Sequence, residues 1–294
     1  MSKWFIAPGP ASKEFAELLA CRMHAPLINV EYTTFPDGES KIRVIGDVRN
    51  KRVIMVQSTY PPVDVHIIQA LMLSYKLSQD GGEVYAVIPY LGYARQDKEF
   101  LEGEVVSLAL IARLLRSVGV KRLITVDIHS SEGLGYFPFP AYSISAIPAL
   151  AEYVNEHHRL NNPIVVSPDF GASARAEGLA KLIDSEHIVL SKKRNRITGE
   201  VSIEDRALNI EGRDVVIIDD IISTGGSVQK AALLLKRSGA RKIIALCTHA
   251  IMVSGALEKI ISAGVEEVIG TNTVPSAVSK VDVTPLIAEY FSSL

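Results

Sequence analysis

Four β-branched residues in a row, Val215-Val216-Ile217-Ile218, constrain this chain more than any other stretch. A short apolar run without polar alternation reads as a strand buried on both faces, as in a parallel sheet covered by helices. Two carboxylates, Asp219 and Asp220, are expected to end it, ahead of Ile221-Ile222-Ser223-Thr224-Gly225-Gly226-Ser227. Residues 229–237, with Ala231, Ala232, Leu233, Leu234 and Leu235, read as the helix that follows. Strand, acids, glycine turn and helix in that order put free backbone N–H groups and the positive end of a helix dipole on an anion. Gly225 and Gly226 let the backbone close on a phosphate, and Thr224 and Ser227 add hydroxyl donors. Asp219 and Asp220 would repel that phosphate, which assigns them to sugar hydroxyls or to a metal ion between. A sugar phosphate fits this better than a nucleoside triphosphate, and no Gly-x4-Gly-Lys-Ser/Thr occurs in the chain. An acidic strand end with a purely structural glycine turn is the alternative at this point.

The rest of the chain repeats the rhythm of apolar run and helical segment. Strands are expected over 4–7, 53–57, 84–88, 122–126, 164–166, 187–190, 215–218, 242–247 and 265–269. Helices are expected over 11–22, 66–78, 105–117, 149–157, 172–183, 228–237, 256–263 and 286–291. Such alternation means an α/β protein with largely parallel sheets flanked by helices. The halves also resemble each other: 53–57, a loop, a helix and 84–88 parallel 215–219, a loop, a helix and 243–247. Two similar domains from a duplication are therefore expected, 1–145 and 146–284, with the closing helix 285–294 available to fold back on the first. Where the second half has its acids and glycines, the first has Gln57-Ser58-Thr59-Tyr60-Pro61-Pro62, without carboxylate or glycine. Only the second half is expected to hold a sugar phosphate.

With 294 residues, 48% hydrophobic and 22% charged, the chain can bury a substantial core. A net charge of −2 gives no general drive toward nucleic acid or an anionic membrane. Cys21 and Cys247 read as buried free thiols in a reduced compartment. No uncharged stretch approaches the roughly 18 residues of a membrane span, so a soluble cytoplasmic protein is expected.

Four further stretches carry chemistry. Phe35-Pro36-Asp37-Gly38-Glu39 is a turn by its Pro-Asp-Gly core, with an aromatic and two acids that could hold a base. Arg95, Gln96 and Asp97 follow a buried strand, where ligands of α/β proteins bind; the arginine suits phosphate and the glutamine a base or ribose. Asp127 and His129 end another strand, on the same side by period-2 geometry, and Asp169 opens a helix after Ser167-Pro168. Ser191-Lys192-Lys193-Arg194-Asn195-Arg196 concentrates four cations in what reads as an exposed mobile loop.

Taken together, FPDGE, GYARQD, DIHS, SPDFG, the KKR stretch and DDIISTGGS resemble ribose-phosphate pyrophosphokinase, also called phosphoribosyl pyrophosphate synthetase, over nearly the whole chain. The resemblance implies two type I phosphoribosyltransferase-like domains and transfer of the β,γ-pyrophosphoryl group of ATP to the 1-hydroxyl of ribose 5-phosphate. It implies ATP binding by Phe35, Asp37, Gly38, Glu39, Arg95, Gln96 and Asp97, and Mg²⁺ served by His129 and Asp169. Ribose 5-phosphate is then bound by Arg194, Asp219, Asp220, Ser223, Thr224, Gly225, Gly226 and Ser227, with Lys192 and Arg194 as catalytic cations. It further implies a homo-oligomer built on a dimer whose ATP site is shared between subunits. Two departures stand out. Ser223 occupies a position where many members carry a third acid, and the segment 98–104 is short and acidic where the commoner type has a longer basic loop, which points to an archaeal-like short form. A phosphoribosyltransferase and a non-catalytic synthetase-associated subunit are the competing readings.

Overall fold

Each apolar run read as a strand lies in one of two parallel sheets. The computed structural model describes residues 4–190, 192–194, 201–203 and 209–294, the two short pieces by their backbone alone. Contacts divide it into two units, Met1–Ser145 with Val283–Leu294, and Ala146–Asp282.

The first unit runs β1 (Trp4–Pro8), α1 (Lys13–Met23), β2 (Asn29–Thr34), β3 (Ser40–Ile45), β4 (Arg52–Val56) and α2 (Val63–Gln79). It continues with β5 (Glu83–Ile88), α3 (Ser107–Ser117), β6 (Val120–Val126) and β7 (Ala141–Ile144). Its main sheet has the order β1-β4-β5-β6-β7, parallel throughout. Val53, Ile54, Met55 and Val56 of β4 are wholly buried, which is why this stretch shows no polar alternation. Burying each such side chain stabilises the fold by about 1.5–3 kcal/mol. β2 and β3 form an antiparallel hairpin, Thr34 opposite Ser40, with 35–39 as its tip. The sequence marks that turn but not its strands, because Glu31, Lys41 and Arg43 face solvent and break up the apolar signal.

The second unit runs α4 (Ile147–His157), β8 (Ile164–Ser167), α5 (Ser173–Leu182), β9 (Glu186–Val189), β10 (Lys192–Arg194), β11 (Val201–Ile203) and β12 (Asp214–Ile222). Then follow α6 (Gly226–Arg237), β13 (Lys242–Ala250), α7 (Ala256–Ser262), β14 (Glu267–Thr271) and β15 (Ser279–Val281). The sheet order is β15-β14-β13-β12-β8-β9, again parallel. The closing helix α8 (Thr284–Ser292) belongs to the first unit, where Phe291 packs edge-on to Trp4 with ring centroids 5.0 Å apart. Arg22 donates to the Thr284 hydroxyl there (3.0 Å).

Laid side by side, β1-β4-β5-β6-β7 and β8-β12-β13-β14-β15 are the same sheet, so the internal similarity is real. The counterpart of β9 in the first unit shrinks to a single parallel bridge between Ile6 and Leu27. From β8 the chain goes outward to β9, then returns to β12 on the other side. That reversal opens a crevice at the carboxyl ends of β8 and β12, where ligands of open α/β sheets bind.

Three expectations need correction. β12 does not stop at the acids but runs on to Ile222, still paired with β13 through Ile221–His249 and Ile222–Ala250. Cys21 is exposed on α1, and only Cys247 is buried. β10 and β11 pair antiparallel, Lys192 opposite Ile203, so Lys192–Arg194 of the cationic stretch is paired strand where a loop was expected.

Candidate active site

At the crevice of the second unit, the chain leaves β12 through Ser223 and Thr224 and enters α6 at Gly226. Gly225 caps the helix in the left-handed region, φ +75°, a conformation that side chains with a Cβ rarely adopt. Its carbonyl accepts from Gln229 N–H (2.8 Å), the first bond of the helix. The turn therefore starts α6 two to three residues earlier than the apolar pattern suggests, and Ser227 already lies in its first turn.

Asp219 is partly exposed and Asp220 is buried. Burial drives the Asp219 carboxyl well above the usual carboxylate range, reinforced by the neighbouring Asp220 and by Asp169. Asp220 sits 3.6 Å from the Arg175 guanidinium on α5. Nothing in the sequence spacing shows that α5 turns Arg175 toward β12. Asp169 accepts from the Gly171 N–H (3.1 Å), so it does cap the short 3-10 turn that it opens. Within this unit Asp220 thus meets a guanidinium, and Asp219 lies close enough to Asp220 and Asp169 to feel both carboxylates, which favours a cation beside it. Among the described residues no group of three or more His, Cys, Asp or Glu is placed to hold a metal by itself. This donor set fits Mg²⁺ bound through one or two carboxylates together with water and substrate oxygens.

In the first unit, the hairpin tip is closed by Phe35 N–H to the Glu39 carbonyl (2.8 Å) and Gly38 N–H to the Phe35 carbonyl (2.9 Å). Asp37 accepts from Glu39 N–H (3.1 Å), and Phe35 is 42% exposed, so an aromatic face and the Glu39 carboxylate are presented to solvent on a rigid tip. Gln69 on α2 donates to the Ser40 hydroxyl (3.0 Å), tying the hairpin to the helix. Arg95 and Gln96 are exposed on a turn after β5. Their backbone is held where the Gln96 carbonyl accepts from Leu108 N–H (3.3 Å) and the Asp97 carbonyl accepts from the Tyr136 hydroxyl (2.8 Å).

The period-2 argument for Asp127 and His129 fails. β6 ends at Val126 and Asp127 turns into the left-handed region, φ +36°, so strand alternation no longer relates the two side chains. His129 is exposed and Asp127 buried. His129 belongs to the first unit and Asp169 to the second. The side chains of Lys192 and Arg194 lie outside what the structure describes.

The corresponding crevice of the first unit is filled from within. Gln57 Oε1 accepts from Ala11 N–H (3.1 Å) and Ser12 Oγ accepts from Ser58 N–H (2.7 Å). A Cβ on Gly9 would lie 2.1 Å from Gln57 Oε1. Side chains here take the backbone donors of Ala11 and Ser58.

Two such sheets, with paired acids and a glycine turn at the crevice of the second, define the type I phosphoribosyltransferase-like class. A family model for the N-terminal domain of ribose phosphate pyrophosphokinase matches residues 4–119, and one for the phosphoribosyl transferase domain matches residues 141–278. The chain is 39% identical to the ribose-phosphate pyrophosphokinase of Sulfurisphaera tokodaii, over 96% of this chain and 98% of that one. It is 40% identical to that of Methanothermobacter thermautotrophicus, over 95% and 96%. The crystal structure of phosphoribosylpyrophosphate synthetase from Mycobacterium smegmatis superposes with a TM-score of 0.88 at 27% identity, covering 99% of this chain and 98% of that one. The chain belongs to the ribose-phosphate pyrophosphokinase family.

Proposed function

We propose that this chain transfers the β,γ-pyrophosphoryl group of ATP to the 1-hydroxyl of D-ribose 5-phosphate, giving 5-phospho-α-D-ribose 1-diphosphate and AMP for nucleotide biosynthesis. The observation that carries this is the near-full-length kinship with named pyrophosphokinases, joined to an intact sugar-phosphate turn at the crevice of the second unit. A plain phosphoribosyltransferase would not need the first unit, and a non-catalytic subunit would not need to keep the acids, the glycine turn, His129 and the cations together.

In this reading the 5-phosphate rests on the backbone donors of 223–227, with the Thr224 and Ser227 hydroxyls beside them. Asp219 and Asp220 receive the ribose hydroxyls, Arg175 holding Asp220 in place. Phe35, Asp37, Gly38 and Glu39 bind the base end of ATP, and Arg95, Gln96 and Asp97 its ribose and phosphates. Mg²⁺, held by His129 and Asp169 with substrate oxygens, would neutralise charge on the phosphates when bound. Burial and its acidic neighbours raise the Asp219 pKa, and a cation held nearby would lower it again. Lys192 and Arg194 stabilise charge on the migrating group and on the departing AMP. The enzyme works mainly by aligning the 1-hydroxyl with the β-phosphorus and by meeting that charge with fixed donors.

The hairpin tip serves the ATP site of a neighbouring subunit, so that a two-fold dimer forms two equivalent sites, each from two chains. The cytoplasm, where ATP and ribose 5-phosphate occur, is its place of action; among the described residues no helix is long and apolar enough to cross a membrane. Purified protein given ATP, Mg²⁺ and ribose 5-phosphate should release AMP and the 1-diphosphate, followed by chromatography. ADP as the product would refute pyrophosphoryl transfer.

A further inference from the structure

The loop after β13 has an unusual backbone. Met252, Ser254 and Gly255 all adopt positive φ, 49°, 56° and 68°, although the left-handed region is unfavourable for methionine and serine. Ser254 is exposed, and its hydroxyl makes no hydrogen bond among the described residues. The side chain therefore does not account for the conformation. What the conformation achieves is backbone contact with the neighbouring turn: Met252 N–H donates to the Ile222 carbonyl (3.1 Å) and Val253 N–H to the Ser223 carbonyl (3.1 Å). From the same loop and the helix it opens, the Ala256 carbonyl and Ile260 Cδ1 press on Gly225, 3.1 and 3.0 Å from where its Cβ would be.

A trans peptide is planar, with its C=O and N–H pointing in opposite directions. Fixing the carbonyl of Ile222 therefore aims the N–H of Ser223 away from the 252–253 backbone, and fixing the carbonyl of Ser223 does the same for Thr224. The bond from Gln229 to the Gly225 carbonyl likewise sets the N–H of Gly226. Three donors of the anion turn are thus oriented by hydrogen bonds made on its far side. We infer that the 252–255 turn is a positioning element for ribose 5-phosphate: its left-handed backbone aims the phosphate-binding N–H groups of 223 and 224. This rests on the proposed function of the site.

The test is a backbone series at exposed Ser254, with ribose 5-phosphate affinity measured by calorimetry without nucleotide, alongside thermal unfolding and the two KM values. Glycine and asparagine tolerate positive φ, so Ser254→Gly and Ser254→Asn should bind ribose 5-phosphate as the wild type does. Ser254→Val should weaken it by about tenfold or more, because a β-branched side chain resists this backbone. The KM for ATP should stay within about twofold, since a defect confined to one substrate is lost uniform binding of that substrate. A folded Ser254→Val protein with wild-type affinity would overturn the inference. If that variant does not fold, hydrogen exchange of the wild type decides. A protected Val253 amide supports the latch, and one exchanging as freely as an open loop overturns it. Wild-type protein that binds no ribose 5-phosphate would overturn the proposed function itself, and the inference with it.

Discussion

The two adjacent glycines of the phosphate turn should fail in different ways when each gains one methyl group. Gly225 has φ +75°, and a Cβ there would stand 3.0 Å from Ile260 Cδ1 and 3.1 Å from the Ala256 carbonyl. Ile260 is wholly buried, so it cannot swing aside into solvent. The left-handed backbone costs alanine about 1–2 kcal/mol, and the crowded contact adds about 1–3 kcal/mol. Gly225→Ala should thus destabilise the protein by about 2–5 kcal/mol, lowering the melting temperature by roughly 2–4 °C per kcal/mol. Gly226 differs. Its nearest neighbour would be Thr224 Oγ1 at 3.9 Å, and it starts α6 with ordinary φ. Alanine there should leave stability unchanged or raise it by up to about 1 kcal/mol, because alanine is the better helix former.

Binding should invert that order. The open space at Gly226 is where the phosphate is proposed to lie, so its methyl should weaken ribose 5-phosphate by about tenfold or more, roughly 1.4 kcal/mol. Thermal unfolding and calorimetric titration of the same samples separate the two effects. A stable Gly226→Ala protein whose affinity stays within about twofold of wild type would refute the idea that this turn holds the phosphate. A Gly225→Ala protein as stable as wild type would refute the packing argument.

Lys192→Ala should lower kcat by roughly 10³–10⁵ while the KM values move far less, as for cationic fingers in phosphoryl transfer; a loss below about tenfold would return Lys192 to a solvated charge. Asp219 has a folded pKa raised to about 8, so its contribution to stability is full below the ordinary carboxylate range and is lost as pH rises through the raised value. Ligand-free Asp219→Asn protein in chelator should therefore gain stability over wild type at pH 9 but not at pH 4, and equal differences at both would refute the assignment. Asp37→Ala and Lys192→Ala proteins, each nearly inactive, should recover about a quarter of wild-type activity when unfolded, mixed and refolded as a two-fold pair. No recovery, with mixed dimers seen by mass spectrometry, would mean that each ATP site is built within one chain.

What the sequence made legible follows from what side-chain patterns encode. Buried parallel strands announce themselves, because both faces of Val53–Val56 and Val215–Ile218 are covered and no polar residue interrupts them. Pro36-Asp37-Gly38 marks a turn through local chemistry, and Gly38 indeed has φ +93°. The strands of that hairpin were not legible, since one face meets α2 and the other carries Glu31, Lys41 and Arg43. The end of β12 was misjudged for a related reason. Acids usually close a strand, but here Asp219 pairs with Cys247 and the ladder continues to Ile222 and Ala250. Asp127 and His129 show the opposite failure, where a period valid inside the strand was carried past a residue with positive φ. The Arg175–Asp220 contact and the 252–255 turn were beyond reach, because each depends on packing between elements distant in sequence.

The duplicated fold leads to one further expectation, that each chain binds a single ribose 5-phosphate. Both units place a helix N-terminus beside the reversal of their sheets, and the macrodipole alone would favour an anion at each. Side chains decide between them. In the first unit Gln57 and Ser12 already satisfy the N–H groups of Ala11 and Ser58, and Gln57, Ser58 and Thr59 are almost wholly buried. An anion entering there must displace bonded, desolvated groups whose loss costs about 1–3 kcal/mol each, and no carboxylate or glycine at 57–62 receives a sugar. In the second unit the helix begins at a bare glycine, the Ile222 and Ser223 carbonyls ahead of it are bonded from behind by Met252 and Val253 N–H, and Asp219 stands partly open beside it. Calorimetric titration of nucleotide-free protein should therefore give a stoichiometry of one ribose 5-phosphate per chain. Replacing Gln57 by alanine should lower stability without raising that number, because removing a plug does not supply the acids that hold a ribose. A stoichiometry of two in the wild type would mean that the internal bonds of the first crevice open at little cost, and the chemical difference between the two units would have to be sought elsewhere.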